Sequence, residues 1–432
     1  MSKWLAATAA VVVLGTGCHY GASAFPCMQD EQCVGVGPGG RCEQVGNGGL
    51  CSFEDQGCPS GHRFGDLAGG QSGQCVGEVD AAVDTPGTPP VDGQACFGTG
   101  IVRVCLATTP AQPLTIPDAL TIDTSDSTMC AATVSGAANY CVIAATSITV
   151  NATLRAKGTK PLVLIASDTI TVNQLIDVAS HRTIPEFVGA GADPATCMAG
   201  TLPNGARSGG AGGSFVGKGG DGGGGAAGGG GTGGRSVNGT NNITELRGGC
   251  PGQAGTGNGK GAGGHGGGAV YLIAGNRIDI TGPGINAAGE GGDSGKGGPI
   301  ATPNASGAGG GGTGGMIGFD APTIANNNNS LLLANGGAGG EGSGVTTDGD
   351  PGDDPSTTAA AIGGTASSQI GGDGGNGSSG PATGAGANGK NGADGSSNAG
   401  NDGGGGGGGG GAGLIKGPAA SLGNNVSPAP TP

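Results

Sequence analysis

Leu162-Val-Leu-Ile-Ala-Ser-Asp-Thr-Ile170 recurs further along the chain as Val270-Tyr-Leu-Ile-Ala-Gly-Asn-Arg-Ile278 and, more weakly, as Met316-Ile-Gly-Phe-Asp-Ala-Pro-Thr-Ile324. Each copy is an apolar run of strand length, a polar corner and the start of a second β-branched run. A further short unit follows each one, at Leu175–Ala179, Ile285–Ala288 and Leu331–Ala334, and Gly413-Leu-Ile-Lys416 reads as a truncated copy. The preceding stretch from Cys141, VIAATSITVNATLRAKG, has the same short β-branched units and no helical period. Strand–turn–strand copies of this kind suit a parallel β-helix, in which each rung buries its apolar face only by stacking on the next. The expected fold is mainly β: a parallel β-helix-like solenoid over 96–340, with long glycine-rich insertions. Its rival is a set of apolar islands in a disordered chain.

The insertions dominate the composition. Of 432 residues 108 are glycine, 11% are charged and 3% aromatic, which argues against an ordinary large globular enzyme. The glycines are zoned, with only Gly136 and Gly158 between Ile101 and Val188, and they lack the strict three-residue period of collagen. Tracts such as GGAGGSFVGKGGDGGGGAAGGGGTGG (209–234) and GGGGGGGGGAG (403–413) have no apolar periodicity. Flexible coil is the default reading, because glycine loses the most backbone entropy on ordering. The alternative is extended three-residue helices of the polyglycine II type, packed through contacts that only glycine permits. The tail, 341–432, is expected to be low in complexity and largely disordered.

Residues 1–17 combine Lys3 with an apolar run from Trp4 to Leu14, too short to span a bilayer and suited to an export signal. Leu14-Gly-Thr-Gly-Cys18 resembles a bacterial lipobox, with the aliphatic residue displaced by one position. The resemblance implies lipidation of Cys18, a tether over 18–26 and membrane attachment through several acyl chains. His19 after the cysteine points, by the same resemblance, to the outer membrane or cell surface. Ala22-Ser-Ala24 offers a competing cleavage site that would leave a soluble secreted protein.

Twelve cysteines remain after Cys18, in groups that are each even: Cys27, Cys33, Cys42, Cys51, Cys58 and Cys75; then Cys96, Cys105, Cys130 and Cys141; then Cys197 and Cys250. In an exported chain this implies up to six disulfides whose connectivity the sequence leaves open. No C-x-x-C occurs, and His62 has no partner at zinc-finger spacing, so no metal site is expected. The first group defines a disulfide module at 27–76, and a Pro/Asp linker follows at 77–95.

Cys27-Met-Gln-Asp-Glu-Gln-Cys33, Gly40-Arg-Cys42, Cys51-Ser-Phe-Glu-Asp-Gln-Gly-Cys58 and Gly73-Gln-Cys75 resemble a Cys-rich N-terminal module of exported myxobacterial proteins. Leu246-Arg-Gly-Gly-Cys-Pro251, Gly266-Gly-Gly-Ala-Val-Tyr-Leu-Ile-Ala274 and Gly314-Gly-Met-Ile-Gly-Phe319 resemble glycine-rich envelope lipoproteins of the same group. The composition is similar to that of the PE-PGRS proteins, without their N-terminus, and the glycine tracts resemble those of glycine-rich antifreeze and phage-adhesin bundles. These resemblances imply location more than activity.

No G-x-S-x-G, H-E-x-x-H or P-loop occurs among His19, His62, His181, His265 and the lysines, and G-x-G-x-x-G matches arise by chance at this glycine density. No cofactor is expected. A net charge of −14 argues against nucleic acid. β-Helix folds of the pectin-lyase-like kind often carry polysaccharide lyases or hydrolases that use clustered carboxylates and cations. The candidates here are Asp168, Asp177, Arg182 and Asp279; Asp168 and Asp279 occupy corner or alternating strand positions, where a solvated turn residue is the plainer reading. The acidic run Asp348–Asp354 reads as a solvated loop, not a calcium site. Two functions follow as expectations: a non-catalytic, lipid-anchored structural or adhesive surface protein meeting extracellular polysaccharide or neighbouring cells, or a β-helix carbohydrate-active enzyme or polysaccharide-binding protein.

Overall fold

The computed structural model describes residues 26–34, 39–45, 48–58, 60–65, 68, 72–76, 95–126, 128–130, 133–135, 139–182, 187–226, 231–240, 243–299, 304–327, 329–365, 370–379, 388–398 and 401–432. The export signal, Cys18, the Ala22–Ala24 alternative and nearly all of the linker fall outside them. The chain divides into two compact units, Met1–Pro89 and Pro90–Pro432.

In the first unit a small antiparallel sheet joins Pro26–Cys27, Arg41–Val45, Gly48–Glu54 and His62–Phe64. Cys27–Cys42, Cys33–Cys51 and Cys58–Cys75 staple it. The buried cluster is made largely of these cysteines with Phe53 packed against them, so the bridges take the place of a conventional core. The sulfurs of Cys27, Cys33 and Cys42 approach within 4.8 Å of one another, but each is committed to a disulfide and offers no thiolate to a metal.

In the second unit the recurring strings become strands of three parallel sheets, visited in the same order on successive passes. The first sheet stacks Cys141–Ala145, Leu162–Ala166, Ala269–Ala274, Met316–Asp320 and Leu414–Lys416. The second stacks Leu114–Ile116, Ile148–Val150, Thr169–Val172, Arg277–Ile280 and Thr323–Asn326. The third stacks Leu120–Asp123, Leu154–Lys157, Ile176–Asp177, Gly284–Asn286, Leu331–Leu333 and Val426–Ser427. Leu162 pairs with Val270 and Ile170 with Ile278, as the sequence alignment expects. The third copy differs: Met316 pairs with Ala269, not Val270, while Ile324 still pairs with Ile278. Its corner is one residue shorter, where Ala321-Pro322 replaces the longer polar turn.

Side-chain pattern follows from what covers each face. In the second sheet Ile148, Ile170, Ile278 and Ile324 point into one buried cluster with Leu164, Leu272, Ile176 and Ile285, and the alternate positions are partly exposed. The first sheet is buried on both faces. Val163, Ile165, Tyr271 and Ile273 pack outward against Val102, Val104, Phe215 and Leu246, which explains its uninterrupted LVLIA and AVYLIA runs. Cys96–Cys105 and Cys130–Cys141 staple the covering N-terminal segment.

The glycine tracts leave at one recurring corner, between a third-sheet strand and the next first-sheet strand, at 178–268, 287–315 and 334–413. Their backbones are hydrogen-bonded to one another at every third residue: Gly404, Gly407 and Gly410 donate to Ser343, Gly340 and Gly337, while Gly405, Gly408 and Gly411 donate to Arg207, Gly210 and Gly213. Three residues per turn is the repeat of a polyproline II-type helix, and here the N–H groups that such a helix leaves unpaired are satisfied laterally. Among the described residues, 304–315 exchanges bonds with six neighbouring tracts, at 208–213, 250–256, 261–267, 287–293, 337–343 and 405–411. These tracts are therefore ordered by hydrogen bonding, not coil. The same holds for the described residues of the tail expected to be largely disordered: Gly403–Gly413 is buried throughout, and Leu414–Lys416 and Val426–Ser427 complete the first and third sheets. Composition suggested coil because it records only the entropy that glycine loses; the gain comes from backbone pairing, which composition does not show.

Position in the lattice sets the sequence of each tract. In 304–315 a Cβ at Gly310 would lie 2.1 Å from the Ala211 carbonyl oxygen, and one at Gly312 would lie 2.0 Å from that of His265. Both sides are closed, so only glycine and small residues fit. At the edge, 287–298 places Glu290, Asp293 and Lys296 on the one open row, three residues apart. Another edge row, Asn388, Asn391 and Asp394, turns its side-chain oxygens back to accept from the N–H groups of Lys218, Asp221 and Gly224 at 2.9, 2.8 and 2.6 Å.

Candidate functional site

The outer face of the third sheet carries a cleft of about 500 Å³. Its apolar floor includes Leu331 and Leu333, which belong to a small buried cluster with Ala179 and Ala288. Its rim includes His181, Arg182, Asn286, Asp353 and Asp354. Parallel register lines up the polar residues: Arg155 pairs with Asp177 on the next pass, and Asp177 with Asn286 on the one after.

Asp177 is 2% exposed and fully engaged. Arg155 Nε lies 3.3 Å from its Oδ2, His181 Nε2 lies 3.0 Å from both carboxylate oxygens, and the Ala179 amide donates to Oδ1 at 3.3 Å. Burial disfavours the charged form of His181, but the hydrogen bond and charge of Asp177, with Asp354 adding, outweigh it and hold the imidazole above its ordinary pKa. An ionised carboxylate can only accept, so Nε2 carries the proton shared with Asp177, which leaves Nδ1 for other partners. The imidazole also stands 5.6 Å from the ring of Phe187. Asp354 ties the rim together, accepting from the amides of Arg182 at 3.0 Å and Gly291 at 2.8 Å. Among the described residues no acceptor meets Arg182 Nε.

Of the four sequence candidates, Arg182 lines the cleft, and Asp177 is buried behind it and joined to it only through His181. Asp168 sits at a corner, where its carboxylate accepts from Asn276 Nδ2 at 3.2 Å, and Asp279 is paired with Arg277 at 2.6 Å on the second sheet. Neither reaches the cleft. Sequence reasoning missed His181, Asn286 and Asp354 as lining residues and Arg155 as the partner of Asp177: Arg155 and Asn286 are found only through register, and Asp354 arrives from a glycine tract. Chemically the cleft presents an apolar floor, a fixed cation and hydrogen-bonding groups on its rim, the general make-up of a small-ligand pocket.

A second His–Asp pair clamps the lattice. His265 Nδ1 lies 2.5 Å from Asp193 Oδ2, and the Gly266 amide donates to Oδ1 at 2.9 Å, which fixes the 259–268 tract on the turn before it. The hydrogen bond that His265 donates to the Asp193 carboxylate raises the pKa of the imidazole despite partial burial.

No family model, curated protein or solved structure matches this chain. Among the described residues no helix is long and apolar enough to cross a membrane.

Proposed function

We propose that the chain is an exported, lipid-anchored cell-envelope protein, held through Cys18, with a structural or adhesive surface role and no catalytic activity. In this reading the three sheets are the walls of a parallel β-helix, and the glycine lattice is a rigid lateral slab displayed on it. The observation that carries the reading is the lattice: more than a hundred residues' worth of sequence is invested in tracts whose buried backbones bond mainly to one another, which supports a scaffold presenting a side-chain-poor face. Six disulfides are compatible with an extracellular or exported location. The partners are extracellular polysaccharide or neighbouring cell surfaces, met by many weak contacts.

Labelling with a palmitate analogue is expected to mark the wild-type chain and not Cys18→Ala, with the label recovered in the envelope fraction. Equal labelling of both would remove the anchor from the proposal. The oxidised chain without its signal is expected to bind matrix polysaccharide and leave it intact. The His181 cleft favours a second reading, a carbohydrate-active β-helix, because it is large enough for a sugar unit and has on its rim Arg182 and His181, the latter hydrogen-bonded to buried Asp177. Release of unsaturated or reducing sugar from a polysaccharide panel, lost in His181→Gln, would put that reading first.

A further inference from the structure

We propose that the Cys197–Cys250 bridge is a thiol-exchange site, at which Cys197 is the sulfur attacked and Cys250 the leaving group. The bridge lies on a groove of about 270 Å³ beside Met198 and Leu202, two of the most exposed large apolar side chains of the unit, at 66% and 68%. Cys197 is partly exposed and Cys250 is 3% exposed, so a nucleophile entering the groove meets Cys197 first. Exposure alone does not single the bridge out, since Cys96 is exposed in its own disulfide. Arg247 does.

Its Nη2 lies 3.0 Å from Cys250 Sγ and 3.5 Å from Cys197 Sγ, and its guanidinium is stacked 4.6 Å from the centroid of buried Phe215. The other polar contact of that side chain is a long one, Nε to the Gly248 carbonyl at 3.4 Å. A half-buried guanidinium, with Glu245 as an acidic neighbour, is thus aimed at a sulfur that carries no charge while oxidised. It gains a second counter-charge, at contact distance, when the bridge opens, and a cation beside a cysteine lowers its thiol pKa. A leaving thiol of lower pKa departs faster.

The step balances with a thiolate as co-reactant. Its sulfur bonds to Cys197 Sγ, the Cys197–Cys250 bond breaks, and the electron pair goes to Cys250 Sγ as a thiolate against Arg247. The product is a mixed disulfide at Cys197. If the attacker is a dithiol, its second thiolate displaces Cys197, giving an oxidised dithiol and two reduced cysteines. The ligand class is therefore an accessible thiol, small or on a protein. Among the described residues the loop so released holds the tracts 208–213, 217–226 and 231–236.

The test exposes the oxidised chain to reduced glutathione in one arm and to a reduced Cys-x-x-Cys protein in the other, with alkylation and peptide mapping over time. Opening of Cys197–Cys250 is expected about tenfold faster than opening of Cys96–Cys105, with the adduct on Cys197. Arg247→Gln is expected to abolish that advantage and leave Cys96–Cys105 unchanged. Reaction in one arm alone assigns the source of the thiol. An adduct on Cys250, or equal rates with and without Arg247, overturns the proposal. Should Arg247→Gln fail to fold, the thiolate absorbance of Cys250 in Cys197→Ser decides: a pKa below the ordinary value of about 8.5 supports the site, and one at or above it overturns it.

Discussion

Gly310 and Asp293 lie on neighbouring tracts, and the main difference between them is what surrounds a side chain. A methyl group at Gly310 would meet the Ala211 carbonyl at 2.1 Å, against backbone that is itself hydrogen-bonded on its far side. Gly310→Ala is expected to lower unfolding free energy by about 1–3 kcal/mol or more, as overpacking does, whereas Asp293→Ala on the open row should stay within about 0.5 kcal/mol. Denaturant titration of both variants checks this. His181 gives a pH signature of definite sign. Its folded pKa is raised above 6.5, so its contribution is complete below that value and is lost as pH rises through the folded pKa. The melting temperature of the wild type relative to His181→Gln should therefore fall as pH rises above about 6.5, and a rising difference would contradict the Asp177 pairing.

At the level of elements, the second sheet shows which strand positions hold the fold. Ile278 is fully buried between Ile170 and Ile324 in register, while Thr171 is part-exposed on the other face. Ile278→Ala is expected to cost about 2–5 kcal/mol and Thr171→Ala well under that, read from chemical unfolding. Amide exchange is expected to be slow within 305–315 and 403–413, comparable to the sheets, where coil would exchange at once. The strands were legible because each carries its own periodicity: TITV alternates, LVLIA does not, and the difference reports one covered face or two. The one-residue slip at Met316 was not legible, since Ala269 and Val270 are equally apolar partners for it. The lattice left a fainter trace. Glu290, Asp293 and Lys296, like Asn388, Asn391 and Asp394, keep a spacing of three that marks the open row of an edge tract, but a tract of glycine alone gives no pattern to read. Of the cleft and the carboxylate behind it, Arg182 and Asp177 were visible as charges in a strand-rich zone; Asp354 was not, because nothing in a glycine-rich run says which strand it will reach.

The whole molecule joins two solutions to a shortage of large apolar side chains. The first unit relies on disulfides, each worth about 2–4 kcal/mol, so full reduction should abolish its protease resistance while the sheets of the second unit persist. Limited proteolysis with and without reductant tests this. The second unit buries much backbone as well as hydrocarbon. Because exposed polar surface lowers the heat-capacity change of unfolding, calorimetry should give a value per residue below the usual ~12–15 cal/mol/K. The tract 403–413 adds a requirement in time. Among the described residues it is the last tract in chain order, yet it bonds to 207–213, 217–226, 308–314, 334–343, 372–378 and 390–396, lying between segments that all emerge before it, the first of them nearly two hundred residues earlier. Until it arrives, those six have donors and acceptors facing an unfilled channel, so the lattice closes around its final member as an arch closes on its keystone. A chain made amino end first would therefore hold an open half-lattice, its backbone groups bonded to water, and become ordered only once 403–413 has emerged.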